Sequence, residues 1–171
     1  MPTLFEILTG CGAWAATPGN YNSIRALRFA PDGNGEVLYG YGQTIYAKIA
    51  CRFAVTEPDQ VEWVYLDSPA HQWFKGFRPD EGNRRKALRA VLTAGEFTFS
   101  EAWTDHSSLF RWRLDLDGSP YPEGLSFPYS VPTTFYGHGQ AIPRIKTDAE
   151  PAAAADGPRE DGSNCSTVWP A

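Results

Sequence analysis

Residues 44–56, TIYAKIACRFAVT, decide the fold class of this chain. Apolar side chains occupy every second position of this stretch, namely Ile45, Ala47, Ile49, Cys51, Phe53 and Val55. A period of two over this length is typical of a long strand with one buried face, because successive side chains of a strand point to opposite sides. The stretch therefore predicts a β protein.

Similar but shorter patterns lie on both sides of this stretch. We predict further strands over residues 13–17, 24–29, 36–41, 60–66, 96–103 and 109–116. The second and third of these are joined by residues 31–35, PDGNG, which contain Asp-Gly and Asn-Gly pairs. Such pairs tolerate the positive φ of tight turns, so they indicate an antiparallel hairpin.

Residues 83–94, NRRKALRAVLTA, fit two structures. A helix over this range would end at Gly95, which favours helix ends. A strand would place Leu88, Ala90 and Leu92 on one face, and the four basic residues of the segment lack acidic partners at helical spacing. We favour the strand, which gives eight sequential antiparallel strands, the number that closes a small up-and-down barrel. A helix would favour an α+β cone instead.

The composition agrees with a turn-rich β domain. The 171 residues include 16 Gly and 14 Pro, which are too many helix breakers for a helical bundle. Aromatic residues make up 14% of the chain and supply enough apolar bulk for a core. The net charge of −5 offers no basic excess to neutralise phosphates, so we expect no nucleic-acid partner.

The compartment is predicted from three further features. Glu6 interrupts the N-terminal region where a secretory signal would be apolar, and no apolar run reaches the length of a membrane span. The three cysteines, Cys11, Cys51 and Cys165, match neither a disulfide framework nor a C-x-x-C pair. We therefore expect a cytoplasmic protein with reduced thiols and no membrane span.

Two domain-level segments follow from the same composition. Residues 1–145 form the predicted barrel domain, in which residues 119–145, rich in Pro and aromatics, are expected to cover the barrel as an ordered strap. Residues 146–171 have low complexity and an acidic excess, which predicts a disordered tail.

The segment Gly12-Ala13-Trp14 resembles the G-x-W opening of the lipocalins and the wider calycin barrels. The resemblance implies a short helical turn over residues 5–8 and a first-strand tryptophan, Trp14, that closes one end of the barrel.

The same resemblance implies a basic residue from a late strand packed on that tryptophan, for which Arg111 and Arg113 are the candidates. It also implies a barrel that holds small apolar molecules, although a minority of similar barrels are cyclases, isomerases or decarboxylases.

Aromatic residues on the inward faces of the strands form the predicted binding site. They are Tyr39, Tyr41, Phe53, Trp63, Tyr65, Phe99 and Trp112. Such a lining, with a few hydroxyl and indole donors, suits a small hydrophobic ligand in the barrel lumen. The alternative is plain core packing, because the side chains of an eight-stranded barrel can fill its interior.

An enzyme on the same barrel is the alternative function. An even-numbered loop after residues 96–103 would place Phe99 opposite Trp112 and Glu101 opposite Phe110, so that Glu101 points inward. Burial would raise the pKa of that carboxyl, as a general acid or base requires. The predicted activity is a cofactor-independent isomerase, cyclase or lyase.

Two further residues are candidate helpers of Glu101. Arg25 shares a face with Leu27, and His138 lies between two glycines where it can reach over a barrel mouth. Solvent exposure is the alternative for both Glu101 and His138. The histidines show no metal-binding spacing, so we expect no metal and no cofactor. A third possibility is an interaction module whose strap and acidic tail bind a protein partner.

Overall fold

The computed structural model of the chain describes residues 1–16, 18, 23–41, 44–70, 74–100, 107–123 and 132–138. Within these ranges it contains one helix, α1 (Leu4–Cys11), and eight strands. The strands are β1 (Ala13–Ala15), β2 (Ser23–Phe29), β3 (Asn34–Tyr41), β4 (Thr44–Glu57), β5 (Gln60–Tyr65), β6 (Arg85–Ser100), β7 (Ser107–Leu116) and β8 (Thr134–Gly137).

The strands form a closed antiparallel barrel in sequence order. Each strand pairs with the next, and β8 closes the ring against β1 through the pair Ala15 and Tyr136. The predicted all-β, up-and-down barrel of eight strands is confirmed. The segment 83–94 is confirmed as a strand, because β6 begins at Arg85.

The division into strands differs from the prediction around Gly95. The predicted strands 83–94 and 96–103 are one strand, β6, which pairs with β7 on both sides of a bulge between Ala94 and Phe97. Glycine within a strand can mark a bulge as well as a turn, and here the chain bends without reversing. The eighth strand is instead β8, inside the segment predicted to be a covering strap.

The register of the β6–β7 hairpin also corrects the prediction. Phe99 pairs with Ser108, and Phe97 pairs with Phe110, so neither Phe99 opposite Trp112 nor Glu101 opposite Phe110 is right. The connection between Ser100 and Ser107 has an even number of residues, as assumed, but it is longer than the assumed four. Parity fixes which residues share a face, whereas loop length fixes which residues are opposite.

The helix α1 closes one end of the barrel, which we call the helix end. Thr3 caps α1 in a reciprocal capping box with Glu6, a T-x-x-E pattern that the sequence carries at residues 3–6. Trp14 on β1 is fully buried below the helix, and its indole Nε1 donates a hydrogen bond to the Leu8 carbonyl at 3.0 Å. Trp14 is therefore placed as the resemblance implied.

No arginine of β7 takes the place predicted for it on Trp14. Arg111 forms an ion pair with Glu96 at 3.1 Å, and Arg113 pairs with Asp115 at 2.9 Å. Both arginines are spaced by odd steps from the buried Leu114, so they point to the outside of the barrel.

The two cysteines within the described ranges, Cys11 and Cys51, are both buried. Cys51 is a free thiol inside the barrel wall, and its burial raises its pKa to about 12. Among the described residues, no helix has the length and apolar character that crossing a bilayer requires.

Candidate functional site

The predicted binding aromatics do not surround one cavity but fall into three groups. The first group lies at the helix end, where the Phe29 ring contacts the rings of Phe53 at 4.8 Å and Trp63 at 6.3 Å. Phe5 of α1 stacks on Phe53 from above at 5.7 Å. Phe53 and Trp63 are 6% and 1% exposed, so these side chains fill the lumen.

The second group lies at the opposite end of the barrel. The Tyr65 hydroxyl donates a hydrogen bond to the Pro120 carbonyl, and the Tyr39 ring meets the Tyr121 ring edge to face at 6.3 Å. The Tyr121 hydroxyl in turn donates to the Leu38 carbonyl. Burial raises the pKa of both Tyr65 and Tyr121 above the ordinary tyrosine value. Residues 119–121, which we call the crossing segment, thus close this end.

Lys86 also holds the crossing segment. Its ammonium donates to the carbonyls of Ser119 at 2.9 Å and Tyr121 at 2.6 Å. Partial burial lowers the pKa of Lys86, and the nearby negative charge of Glu123 opposes that shift. This role was not predicted from the sequence, where the four basic residues served to argue against a helix over residues 83–94. The available signal was that Lys86 lies two positions before the buried Leu88 and so shares its inward face of the strand.

The third group is less buried. Tyr41 is 42% exposed at the end of β3. Phe99 and Trp112 are half-buried on β6 and β7, and the Phe99 ring lies 4.7 Å from Tyr136 and 5.7 Å from Phe110. These contacts belong to an aromatic cluster formed by β6, β7 and β8 rather than to the lumen residues around Phe53.

The catalytic candidates are not brought together within the described structure. Glu101 lies outside the described residues. The Arg25 guanidinium lies 6.0 Å from the centre of the Tyr39 ring, toward the end opposite the helix. His138 follows β8 at the helix end, where its backbone N–H contacts the Cys11 sulfur at 3.3 Å.

The expectation of a histidine reaching over a barrel mouth is replaced by a packed one. His138 is 4% exposed, stacks on Phe110 at 4.2 Å, and places Nδ1 3.0 Å from the Leu109 carbonyl. Burial lowers its pKa, and the contact with Leu109 partly offsets that shift. His71 and His106 lie outside the described residues, and the described residues bring together no group of three or more His, Cys, Asp or Glu side chains that would hold a metal ion.

A cavity of about 570 Å³ lies on the outer side of the barrel wall, beside the C-terminal end of α1, and we call it the outer cleft. Sequence reasoning did not predict it. Its lining comprises residues 9–13, 28–31, 34–36, 50–51 and 66.

The outer cleft exists because small residues occupy the outer face of the sheet below the helix end. Strand pairing places Ala13 beside Arg28, Arg28 beside Glu36, and Glu36 beside Ala50, all on the outward side. The two alanines at the ends of this row leave space that longer side chains would fill. The sequence signal was the presence of alanine at outward positions, where strand surfaces usually carry larger side chains.

One wall of the outer cleft is charged. Arg28 Nη1 lies 3.5 Å from Glu36 Oε1, and Lys48 Nζ lies 3.4 Å from Glu36 Oε2. The Arg28 Nε atom is buried and has no hydrogen-bond partner within the described part of the chain.

No protein-family model, curated protein or solved structure matches this chain. The fold therefore defines the class on its own: an all-β, closed, eight-stranded antiparallel barrel with a helix over one end.

Proposed function

We propose that this barrel binds a small hydrophobic molecule, and that it does so in the outer cleft rather than in the lumen. The observation that carries the proposal is the cavity of about 570 Å³. Sites for small ligands commonly measure about 300–1,000 Å³, with a mainly apolar lining and a few polar groups.

The lining of the outer cleft fits a ligand that is mainly apolar. Its walls include Ala13, Pro31, Ala50 and Leu66, and the glycines at the end of α1 let the ligand approach the backbone. Its lining also includes four polar or charged side chains, those of Thr9, Arg28, Asn34 and Glu36. An apolar molecule that displaces water from such walls gains about 25 cal/mol for each Å² of apolar surface removed from water.

The packing of the lumen argues for the outer site. A ligand between Phe53 and Trp63 would have to separate rings that already contact Phe29. Entry from the opposite end would require the crossing segment to leave its hydrogen bonds with Tyr65 and Lys86. The outer cleft needs neither change.

Two alanines of β4 offer a matched test. Ala50 is half-buried and lines the cleft, whereas Ala54 is exposed, points to the same side of the same strand, and lies outside the cleft. We expect Ala50→Phe to fill the cleft and Ala54→Phe to leave it open. Phenylalanine suits a strand at both positions.

The probe is N-phenyl-1-naphthylamine, a neutral apolar dye whose fluorescence rises on binding. We expect wild type and Ala54→Phe to bind it with similar affinity, and Ala50→Phe to bind at least about tenfold more weakly, which corresponds to about 1.4 kcal/mol. Equal binding by wild type and Ala50→Phe would place the dye elsewhere and reject the outer cleft.

The alternative activity, a cofactor-independent isomerase, cyclase or lyase based on Glu101, is a weaker proposal. It draws no support from Arg25 and His138, because these residues lie toward opposite ends of the barrel.

A further inference from the structure

The charges beside the outer cleft do not cancel. Glu36 is shared by two cations, Arg28 at 3.5 Å and Lys48 at 3.4 Å, so the three side chains carry a net positive charge. Arg28 and Glu36 line the cleft, whereas Lys48 is not part of its lining.

Arg28 keeps hydrogen-bonding capacity in this arrangement. Its 3.5 Å contact with Glu36 is longer than the 2.7–2.9 Å of a strong charge-assisted hydrogen bond. Its Nε–H is buried and has no acceptor among the described residues. A buried donor without an acceptor is costly, so an oxygen that reaches Nε would be bound favourably.

The apolar floor begins next to this guanidinium. Ala13 pairs directly with Arg28, and Ala50 follows two strands away, beyond Glu36. Arg28 and Glu36 thus lie in the middle of this row, with one alanine on each side, so a ligand with its head at Arg28 can place its body over either apolar end.

We propose that the ligand of the outer cleft is an amphiphile with a carboxylate head, bound with the head on Arg28 and the hydrocarbon body on the apolar part of the lining that includes Ala50 and Leu66. This inference rests on the proposed function, because it names the chemistry of a ligand for that same cleft. Arginine suits a carboxylate since its planar guanidinium donates two parallel N–H bonds to the two oxygens.

Dodecanoate and 1-dodecanol test the head group, because they share a hydrocarbon chain and differ in charge. Isothermal titration at neutral pH measures both ligands on wild type, Arg28→Gln and Arg52→Gln. Arg52 is the control, since it is exposed on β4 and does not line the cleft.

We expect wild type and Arg52→Gln to bind dodecanoate about tenfold more tightly than dodecanol. Arg28→Gln is expected to lose this preference while its affinity for dodecanol stays unchanged, which also shows that the variant is folded. The assignment is overturned if Arg28→Gln loses binding of both ligands and Arg28→Lys, which keeps the charge, restores binding of neither.

The salt dependence gives a readout on the unmodified protein. Raising the salt concentration should weaken binding of dodecanoate and leave binding of dodecanol unchanged, because only the former involves opposite charges. If both ligands bind wild type equally at every salt concentration and Ala50→Phe weakens both, the cleft stands and the carboxylate proposal fails. If wild type binds neither ligand nor the neutral dye, both proposals fail.

Discussion

Gly137 of β8 lies against the face of the Trp14 ring, and its replacement by alanine tests how the helix end is packed. A Cβ at position 137 would lie 2.9 Å from Cε3 of Trp14 and 3.0 Å from Cδ2. Carbon atoms in van der Waals contact are about 3.5–4.0 Å apart, so the indole or β8 must move. The indole cannot move freely, because it is fully buried and hydrogen-bonded to Leu8.

The expected cost is a balance of two effects. Inserting a methyl group into a close-packed core costs about 1–3 kcal/mol. Alanine recovers roughly 0.5–1 kcal/mol, because glycine within a strand loses more backbone entropy on folding. Together the two effects are expected to lower the free energy of unfolding of Gly137→Ala by up to about 2.5 kcal/mol, centred on about 1 kcal/mol. For a chain of this size a loss of about 1 kcal/mol lowers Tm by about 2–4 °C.

Urea unfolding followed by tryptophan fluorescence, with circular dichroism as a second probe, measures the change. Gly82→Ala is the control, since its added Cβ would lie 3.5 Å from the Asp80 carboxylate, an ordinary contact. We expect it to change stability by less than about 0.5 kcal/mol. Trp14→Phe removes part of the ring, so adding Gly137→Ala in that background should cost at least about 0.5 kcal/mol less than in wild type. The packing argument is wrong if Gly137→Ala unfolds at the wild-type urea concentration, or if it costs the same in both backgrounds.

Three further predictions concern groups inside the barrel. Burial holds the pKa of His138 below its ordinary value near 6.5, so the stabilising contribution of the neutral imidazole is complete above about pH 6.5 and is lost as the pH falls through the folded-state pKa. In urea unfolding, His138→Gln should therefore lose less stability than wild type between pH 7 and pH 5, and equal losses would refute this. Burial raises the pKa of Tyr65 and Tyr121 above about 10, so the contribution of each phenol to folding stability is complete below that pH and falls above it by up to about 1.4 kcal/mol per pH unit. The variant with phenylalanine at both positions should lose less stability than wild type between pH 9 and pH 11. Parallel losses of the two proteins in urea unfolding would contradict the assignment. Lys86→Met leaves two carbonyls of the crossing segment without their donor and should cost about 1–3 kcal/mol in thermal or urea unfolding. Arg89→Met, which breaks an exposed ion pair with Asp59, is the control and should cost less than about 1 kcal/mol. Comparable costs for the two variants would refute the role of Lys86.

The sequence predicted the barrel because alternation is a strong signal when it is long. Residues 44–56 alternate over more than ten positions, and β4 extends over nearly the same range. The error at Gly95 has a physical origin, since glycine accompanies both turns and bulges and the sequence alone does not separate them. β8 was missed because four residues among prolines and aromatics carry almost no period.

The candidate site was less accessible to sequence reasoning. Parity correctly placed Phe53 and Trp63 on the inner face, but it gave no information on how tightly their rings pack. The outer cleft depends on Ala13 and Ala50, two small residues that the pairing of four strands places at the ends of one outward-facing row, with α1 beside it. Such a concavity depends on tertiary contacts that no local pattern encodes.

The most direct test of the outer cleft is to locate a bound molecule. Crystals of the full chain grown with 11-bromo-1-undecanol would reveal the ligand through the anomalous scattering of its bromine. We predict a bromine peak in the outer cleft, between the end of α1 at Gly12 and the outward side chain of Ala50. A peak inside the barrel beside Phe53 and Trp63, or the absence of any bromine peak in these crystals, would contradict the account.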